Sequence, residues 1–366
     1  MSDLPQPDQL DGAPHPRETQ VLYGQGEAEA RFLQAYSSGR LHHGWLICGP
    51  RGVGKATLAW RLARFLLATP ADDGGMFAPP PPQSLDISED HPVVRRVRAG
   101  ADPGLLVIRR GHDDKGNLRR DITVDVMRKL HGFFGLSAPD GGRRVVIIDA
   151  AAEMNPNAAN ALLKALEEPP ENATLLLVAH QPSRLLPTIR SRCRELRLAP
   201  LAKHDLDAAL AQAGVESDSA ALAQLSGGSV GAAVTLAQGG GTEIYAGLVR
   251  LFESLPRLDR PAALKLAESV AGRANDARFA MLLSLFDLFM ARLARAGIKG
   301  PGPEAVTGEA ALFARLAPDV QAARAYAELG QHLGARARHA RAVNLDPAAL
   351  VLDMVMQTEA EARKHL

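Results

Sequence analysis

ICGPRGVGKATLAWRLARF, residues Ile47–Phe65, decides the fold. Gly49 is followed after four residues by Gly54 and Lys55, the spacing of a phosphate-binding loop. The apolar run GWLICG, Gly44–Gly49, reads as a buried strand entering that loop, and ATLAWRLARFLLA, Ala56–Ala68, as the helix leaving it. Glycines let backbone N–H groups turn inward around phosphates, and the helix N-terminus adds positive potential. Gly49, Gly52, Gly54 and Lys55 supply the cradle and the charge. The next residue, whose hydroxyl would ligate magnesium, is Ala56. Thr57 comes one place late, about 100° further round the helix, and is a poor substitute.

Working outward, residues 1–18 are polar and proline-rich and are expected to be a disordered tail. Helical spacing follows over Gly26–Gly39, and a low-complexity loop over Pro70–Gln83. Strands are expected at Leu105–Arg110, Arg143–Ala151 and Thr174–His180, with helices at Ile122–Gly135 and Asn155–Pro170 and a turn at APDGG between them. Alternating strands and helices predict a parallel sheet covered on both faces. After about residue 200 only helical patterns remain, and Phe279, Leu282, Leu283, Phe286, Phe289 and Met290 form a core-facing stripe.

Composition narrows the function. The chain has 366 residues, so more than one domain is expected. Net charge is +1 and aromatics are 4%, which argues against free-standing affinity for nucleic acid and against base stacking. Cys48 and Cys193 are far apart and form no zinc motif; they are expected as reduced thiols. No signal peptide or membrane span is read, and a cytoplasmic location is expected.

Two further elements bear on catalysis. VVIIDAAAEMN ends a strand at Asp149, where a nucleotide hydrolase holds magnesium. Ala150 stands where the base for water would be, and Glu153, three residues on, is expected as a solvated loop residue. Alanines at both 56 and 150 argue against turnover. TIRSRCREL, Thr188–Leu196, is either a solvated basic turn or, from its place after a strand, a source of an outward-pointing arginine. Asp113 and Asp114 read as a turn, and His42 and His43 as a surface pair. His180 is balanced between packing and phosphate sensing.

GPRGVGKATLA, VVIIDAAAEMNPNAANALLKALEEPP and LLPTIRSRC together resemble the clamp-loader branch of the AAA+ proteins. The resemblance is strong from Val21 to Cys193 and weaker through RAVNLDPAALVLDM. It implies an α/β fold: a P-loop AAA+ RecA-like parallel-sheet domain over 19–199 with a proline-rich insertion at 70–103, a helical lid over 200–240 and an all-α collar over 241–366. Clamp loaders are rings that place a sliding clamp on primed DNA. The implied partners are the gamma/tau motor subunits and delta, with the clamp and DNA reached through the complex.

Ser191, Arg192 and Cys193 match the family's SRC motif, which makes Arg192 a finger toward a neighbour's ATP. Gly49, Gly52, Gly54, Lys55, Thr57 and Asp149 become a degenerate nucleotide site. No metal or cofactor is required, and weak ATP binding without hydrolysis is the expected limit. The chain would be a non-hydrolysing part of a DNA-directed DNA polymerase holoenzyme. Two departures stand out. The proline-rich insert replaces a cysteine zinc module, and Gly231 in GGSVGAAVTL stands where an active ATPase carries a second-sensor arginine. The alternatives are a hydrolysing motor subunit and a stand-alone AAA+ DNA-repair protein.

Overall fold

The structure is a computed structural model that describes residues 6–69, 81–135, 142–215 and 219–366. Residues 70–80 of the expected insertion and most of the APDGG turn lie outside the described residues.

The contacts divide the chain into two compact units: residues 1–214 with 229–231, and residues 215–228 with 232–366. The first unit contains α1 (Gly26–Ser37), β1 (Gly44–Cys48), α2 (Lys55–Ala68), α3 (Pro92–Arg98) and β2 (Leu105–Arg109). It continues through α4 (Val124–Gly135), β3 (Arg144–Asp149), α5 (Pro156–Glu167), β4 (Ala173–Ala179), α6 (Pro187–Arg190), β5 (Arg194–Arg197) and α7 (Lys203–Gln212). The strands make one parallel sheet in the order β2-β3-β4-β1-β5.

Burial explains the strand sequences. β1, β3 and β4 are buried at every residue and read as near-continuous apolar runs, as parallel strands covered on both faces must. β5, RELR, buries only Leu196, and its exposed charges discourage another chain from pairing with that edge. α5 starts where Pro156 follows Asn155, whose side chain accepts the Ala158 N–H.

One expectation changes. Residues 6–18 are not a free tail: Asp8 and His15 have buried side chains and pack on the first unit. Composition measures whether a segment can form its own core, and this one uses the domain's. Beyond the expected Pro70–Gln83 loop, the 70–103 stretch forms α3, and Leu85 is buried.

The second unit contains α8 (Ser219–Ser226), most of α9 (Val230–Gln238), α10 (Gly241–Glu253), α11 (Arg260–Glu268), α12 (Asp276–Lys299), α13 (Glu309–Leu316), α14 (Val320–Ala342) and α15 (Pro347–His365). The boundary runs through the expected 200–240 lid, since α7 groups with the sheet and α8 with the later helices. Among the described residues no single helix is long and apolar enough to cross a membrane.

The stripe on α12 is buried as expected, with Phe289 against Tyr245, Phe252 and Phe313. Inside this apolar cluster sits Glu309, 1% exposed. Arg292 grips it with two bonds, Nε–Oε1 at 2.7 Å and Nη2–Oε2 at 2.8 Å. The Ala305 N–H and the Tyr245 hydroxyl also donate to it. Every lone pair is used, which is what makes a buried carboxylate tolerable. Arg292→Ala should destabilise the second unit by about 3 kcal/mol or more, because it strands a buried charge. Urea unfolding measures this, and a loss below about 1 kcal/mol would show that Glu309 finds other compensation.

Candidate functional site

The loop after β1 takes the shape its glycines allow. Gly52 and Gly54 have φ of 73° and 99°, and Gly54 is the N-cap of α2. A β-carbon on Gly54 would run into Leu22. Two contacts from residues 229–231 hold the loop: Ser229 Oγ donates to Arg51 O (2.9 Å) and Gly231 N to Gly52 O (3.0 Å). They engage loop carbonyls, which a phosphate does not use. At the place expected for a second-sensor arginine, Gly231 instead offers its backbone N–H. Gln25, which no motif signalled, is 4% exposed and bonds the carbonyls of Val53 and Ala199. It ties the start of α1 to the loop and to the chain leaving β5.

Lys55 does not reach outward. It is 2% exposed, and its Nζ donates to the carbonyl of Pro50 in its own loop. Burial lowers its pKa to about 8 and nearby Arg51 adds to the fall, against the pull of Asp149. Asp149, at the end of β3, is 8% exposed. Burial pushes its pKa up to about 7, helped by the charges of Asp8 and Glu153 and opposed by Lys55 and Arg109. Ala56 and Ala150 put no polar group beside these two, and Thr57 is half-buried on α2. His180, just after β4, is brought to the same end of the sheet. Burial, then the charges of Lys55 and Arg51, lower its pKa to about 4, so it is neutral near pH 7. Its Nδ1 is buried without a hydrogen-bond partner.

Glu153 is half-buried rather than solvated, with Arg110 Nε 2.8 Å from its Oε2. Asp113 is the expected turn residue, accepting the N–H groups of Lys115 and Asn117. Among the described residues, no group of three or more His, Cys, Asp or Glu is placed to hold a metal ion.

Arg192 lies at the other end of the sheet. The turn 190–193 leads into β5, whose Arg194 pairs with Trp45 near the start of β1. A β-carbon on Gly44 would crowd Arg192 O and Cys193 Sγ, so the first residue of β1 has to be small. His42 and His43 stack here at 4.3 Å, with His43 Nε2 3.0 Å from Leu166 O, so they are remote from the cradle. β1 spans about 13 Å at ~3.3 Å per residue, which separates Arg192 from the Gly49–Lys55 loop. Arg192 is parked: Nη2 meets Glu167 Oε1 at 2.9 Å and Nη1 donates to Thr188 O at 3.0 Å. Both charged groups are partly exposed. Ser191 caps back on Thr188 O, and burial raises the Cys193 pKa to about 12, so this thiol packs rather than reacts.

Residues 24–202 match the family model described as DNA polymerase III, delta subunit. The chain is 40% identical over 151 residues to DNA polymerase III subunit delta' of Pseudomonas aeruginosa, covering 41% of each chain. It is 34% identical over 211 residues to the delta' subunit of Escherichia coli, covering 57% of this chain and 58% of that one. With the Escherichia coli subunit tau it shares 32% over 181 residues, 49% of this chain and 25% of tau. The match thus spans about half the length of these delta' relatives.

The raised Asp149 pKa has a measurable consequence. A carboxyl that titrates near 3.8 when unfolded and near 7 when folded binds its proton more tightly in the fold. Its effect on stability is therefore most favourable below the lower value and is lost as pH rises toward the upper one. Asp149→Asn should gain stability over the natural chain through that window, up to about 4 kcal/mol, with the difference level above it. Lys55 titrates near 8, at the upper edge of that window, and is held up in part by Asp149. Urea unfolding at about pH 4.5 and about pH 7.5 measures the difference. An equal difference at both would mean that Asp149 titrates normally.

Proposed function

We propose, from the match of residues 24–202 to the family model described as DNA polymerase III, delta subunit, that this chain is a delta-prime-type clamp-loader subunit. In this reading it frames a ring with gamma/tau and delta, helps place a sliding clamp on primed DNA, and lends Arg192 to a neighbouring subunit's ATP. The carrying observation is the placement of Arg192 at the start of β1, while the chain's own cradle follows the end of that strand. An arginine there is turned from its own site and, once released from Glu167, can serve another.

The chemistry suits that role. Charge develops on the oxygens of a transferring phosphoryl group, and a guanidinium offers a rigid fork of donors to stabilise it. The resting pair with Glu167 is partly exposed, so releasing it costs only about 0–1 kcal/mol. Its own cradle supports no turnover: the metal hydroxyl is replaced by Ala56, the base by Ala150, and Lys55 is bonded to Pro50 O. The helical second unit is the collar in this reading.

In a reconstituted complex, Arg192→Ala should leave assembly intact and lower DNA- and clamp-stimulated ATP turnover. One finger is worth about 10³–10⁵ at its site, and less in the sum over a ring. Arg192→Lys should recover little, while alanine at Arg190 or Arg194, both exposed, should have small effects. Normal clamp loading by a complex shown to contain the Arg192→Ala chain would remove the finger assignment. The isolated chain should release no phosphate above background, and steady release abolished by Lys55→Ala would favour a motor instead.

A further inference from the structure

The N-terminal segment follows a single path. Arg109, last residue of β2 and register partner of Asp149, donates from Nη1 to Gln6 Oε1 at 2.9 Å and pairs with Asp8 Oδ1 at 2.5 Å. The Asp8 side chain is 1% exposed. His15 Nδ1 accepts the Arg17 N–H at 3.0 Å, which leaves its ring proton on Nε2, 3.4 Å from Asp8 Oδ2. The His15 ring stands edge-on to Trp60 of α2, with centroids 5.8 Å apart. Further along, Arg64 of α2 donates to the carbonyls of Arg17 and Thr19, both at 2.8 Å, and Arg61 donates to that of Gln20. Leu22 then abuts Gly54. One strap thus runs from the end of β2, along the helix of the phosphate cradle, to the last glycine of that cradle.

The strap is anchored unevenly. Arg61 and Arg64 are buried guanidiniums whose donors need its carbonyls, so residues 17–20 are firmly held. Residues 6–8 are held by side-chain pairs instead: Arg109 takes Gln6 and Asp8, and His15 faces Asp8 at 3.4 Å. Burial works to raise the Asp8 pKa, but His15 and Arg109 outweigh it, so Asp8 stays ionised. Its charge is felt at Asp149, the end of β3 that would face a bound triphosphate. It also neutralises Arg109, a cation that would otherwise draw phosphate there.

We propose that Asp8 and the strap around it form an intramolecular plug that opposes nucleotide entry to the Gly49–Lys55 cradle, which loads only when the Gln6–Asp8 end lifts. A site competent only in an open fraction has its affinity reduced by that fraction. The inference rests on the cradle assignment, and not on the role of Arg192.

The test is Mg-ATP affinity of the isolated chain, read with a fluorescent ATP analogue. A chain lacking residues 1–12 keeps the carbonyls that Arg61 and Arg64 need. With circular dichroism and melting unchanged, it should bind about tenfold tighter or more, and Asp8→Asn should shift affinity the same way by less. Adding Lys55→Ala to the shortened chain should abolish the gain. A gain that survives Lys55→Ala places the nucleotide outside the cradle and overturns both this proposal and the cradle assignment. A folded shortened chain that binds no tighter overturns the plug alone. Hydrogen exchange on the unaltered chain gives a second reading. By linkage, saturating Mg-ATP should speed exchange of the Gln9 and Ala13 amides, which bond Gln6 O and Leu10 O. Unchanged protection with ATP bound overturns the proposal.

Discussion

Everything at the functional end of this protein depends on β1 being clamped on both edges. Its five residues are buried and hydrogen-bonded to β4 on one side and β5 on the other. A strand so held cannot slip or tilt without breaking two ladders. Its last residue therefore delivers the glycine loop to a fixed place, and its first residue gives the SRC turn a fixed seat. Both features are short loops whose geometry is borrowed from the strand between them. The requirement that Gly44 be small follows from the same clamp, because the backbone of Arg192 approaches it directly.

The charges around the cradle are buried or turned onto groups of the chain itself. A hydrolase needs an ionised carboxylate that a cation can reach and a lysine free to meet phosphate. Here Asp149 is nearly sealed and titrates near neutrality, and Lys55 is folded back on a carbonyl. Ala150 fits the same picture, since a polar side chain at that buried place would have to find a partner, whereas Ala56 is half-buried. The resemblance to a nucleotide site survives in the backbone, where the glycines still dictate the path.

How much of this was legible in the sequence follows from the range of the forces involved. The loop, Asp149 and the SRC turn were readable because each is a local pattern whose spacing is imposed by one strand end and one helix start. A parallel sheet covered on both faces could be anticipated from the alternation of strands and helices, and the buried stripe on α12 from its helical spacing. The strap, Gln25 and Ser229 were not readable. Each bonds a residue distant in the chain, and nothing near Asp8 signals that Arg109 awaits it. Residues 6–18 were misjudged because few apolar residues lie within them, whereas their order comes from arginines on α2 and β2. Glu153 was read as solvated for the same reason: its partner, Arg110, follows a different strand.

The contacts around the cradle also impose an order on how the chain can fold as it is made. The loop is complete once residue 55 exists, but Asp8 does not meet Arg109 until that residue, 101 residues later, is in place. Arg51 waits longer still, since the Ser229 that bonds its carbonyl lies 178 residues further on. Closing such long loops is slow compared with forming the helix that follows the cradle. During synthesis the glycine loop therefore exists for a time without Ser229, although the carbonyls of residues 17–20 that Arg61 and Arg64 bond are already present. Lys55, sealed in the finished protein, is the charge left waiting, since Asp149 beside it arrives only when β3 is made.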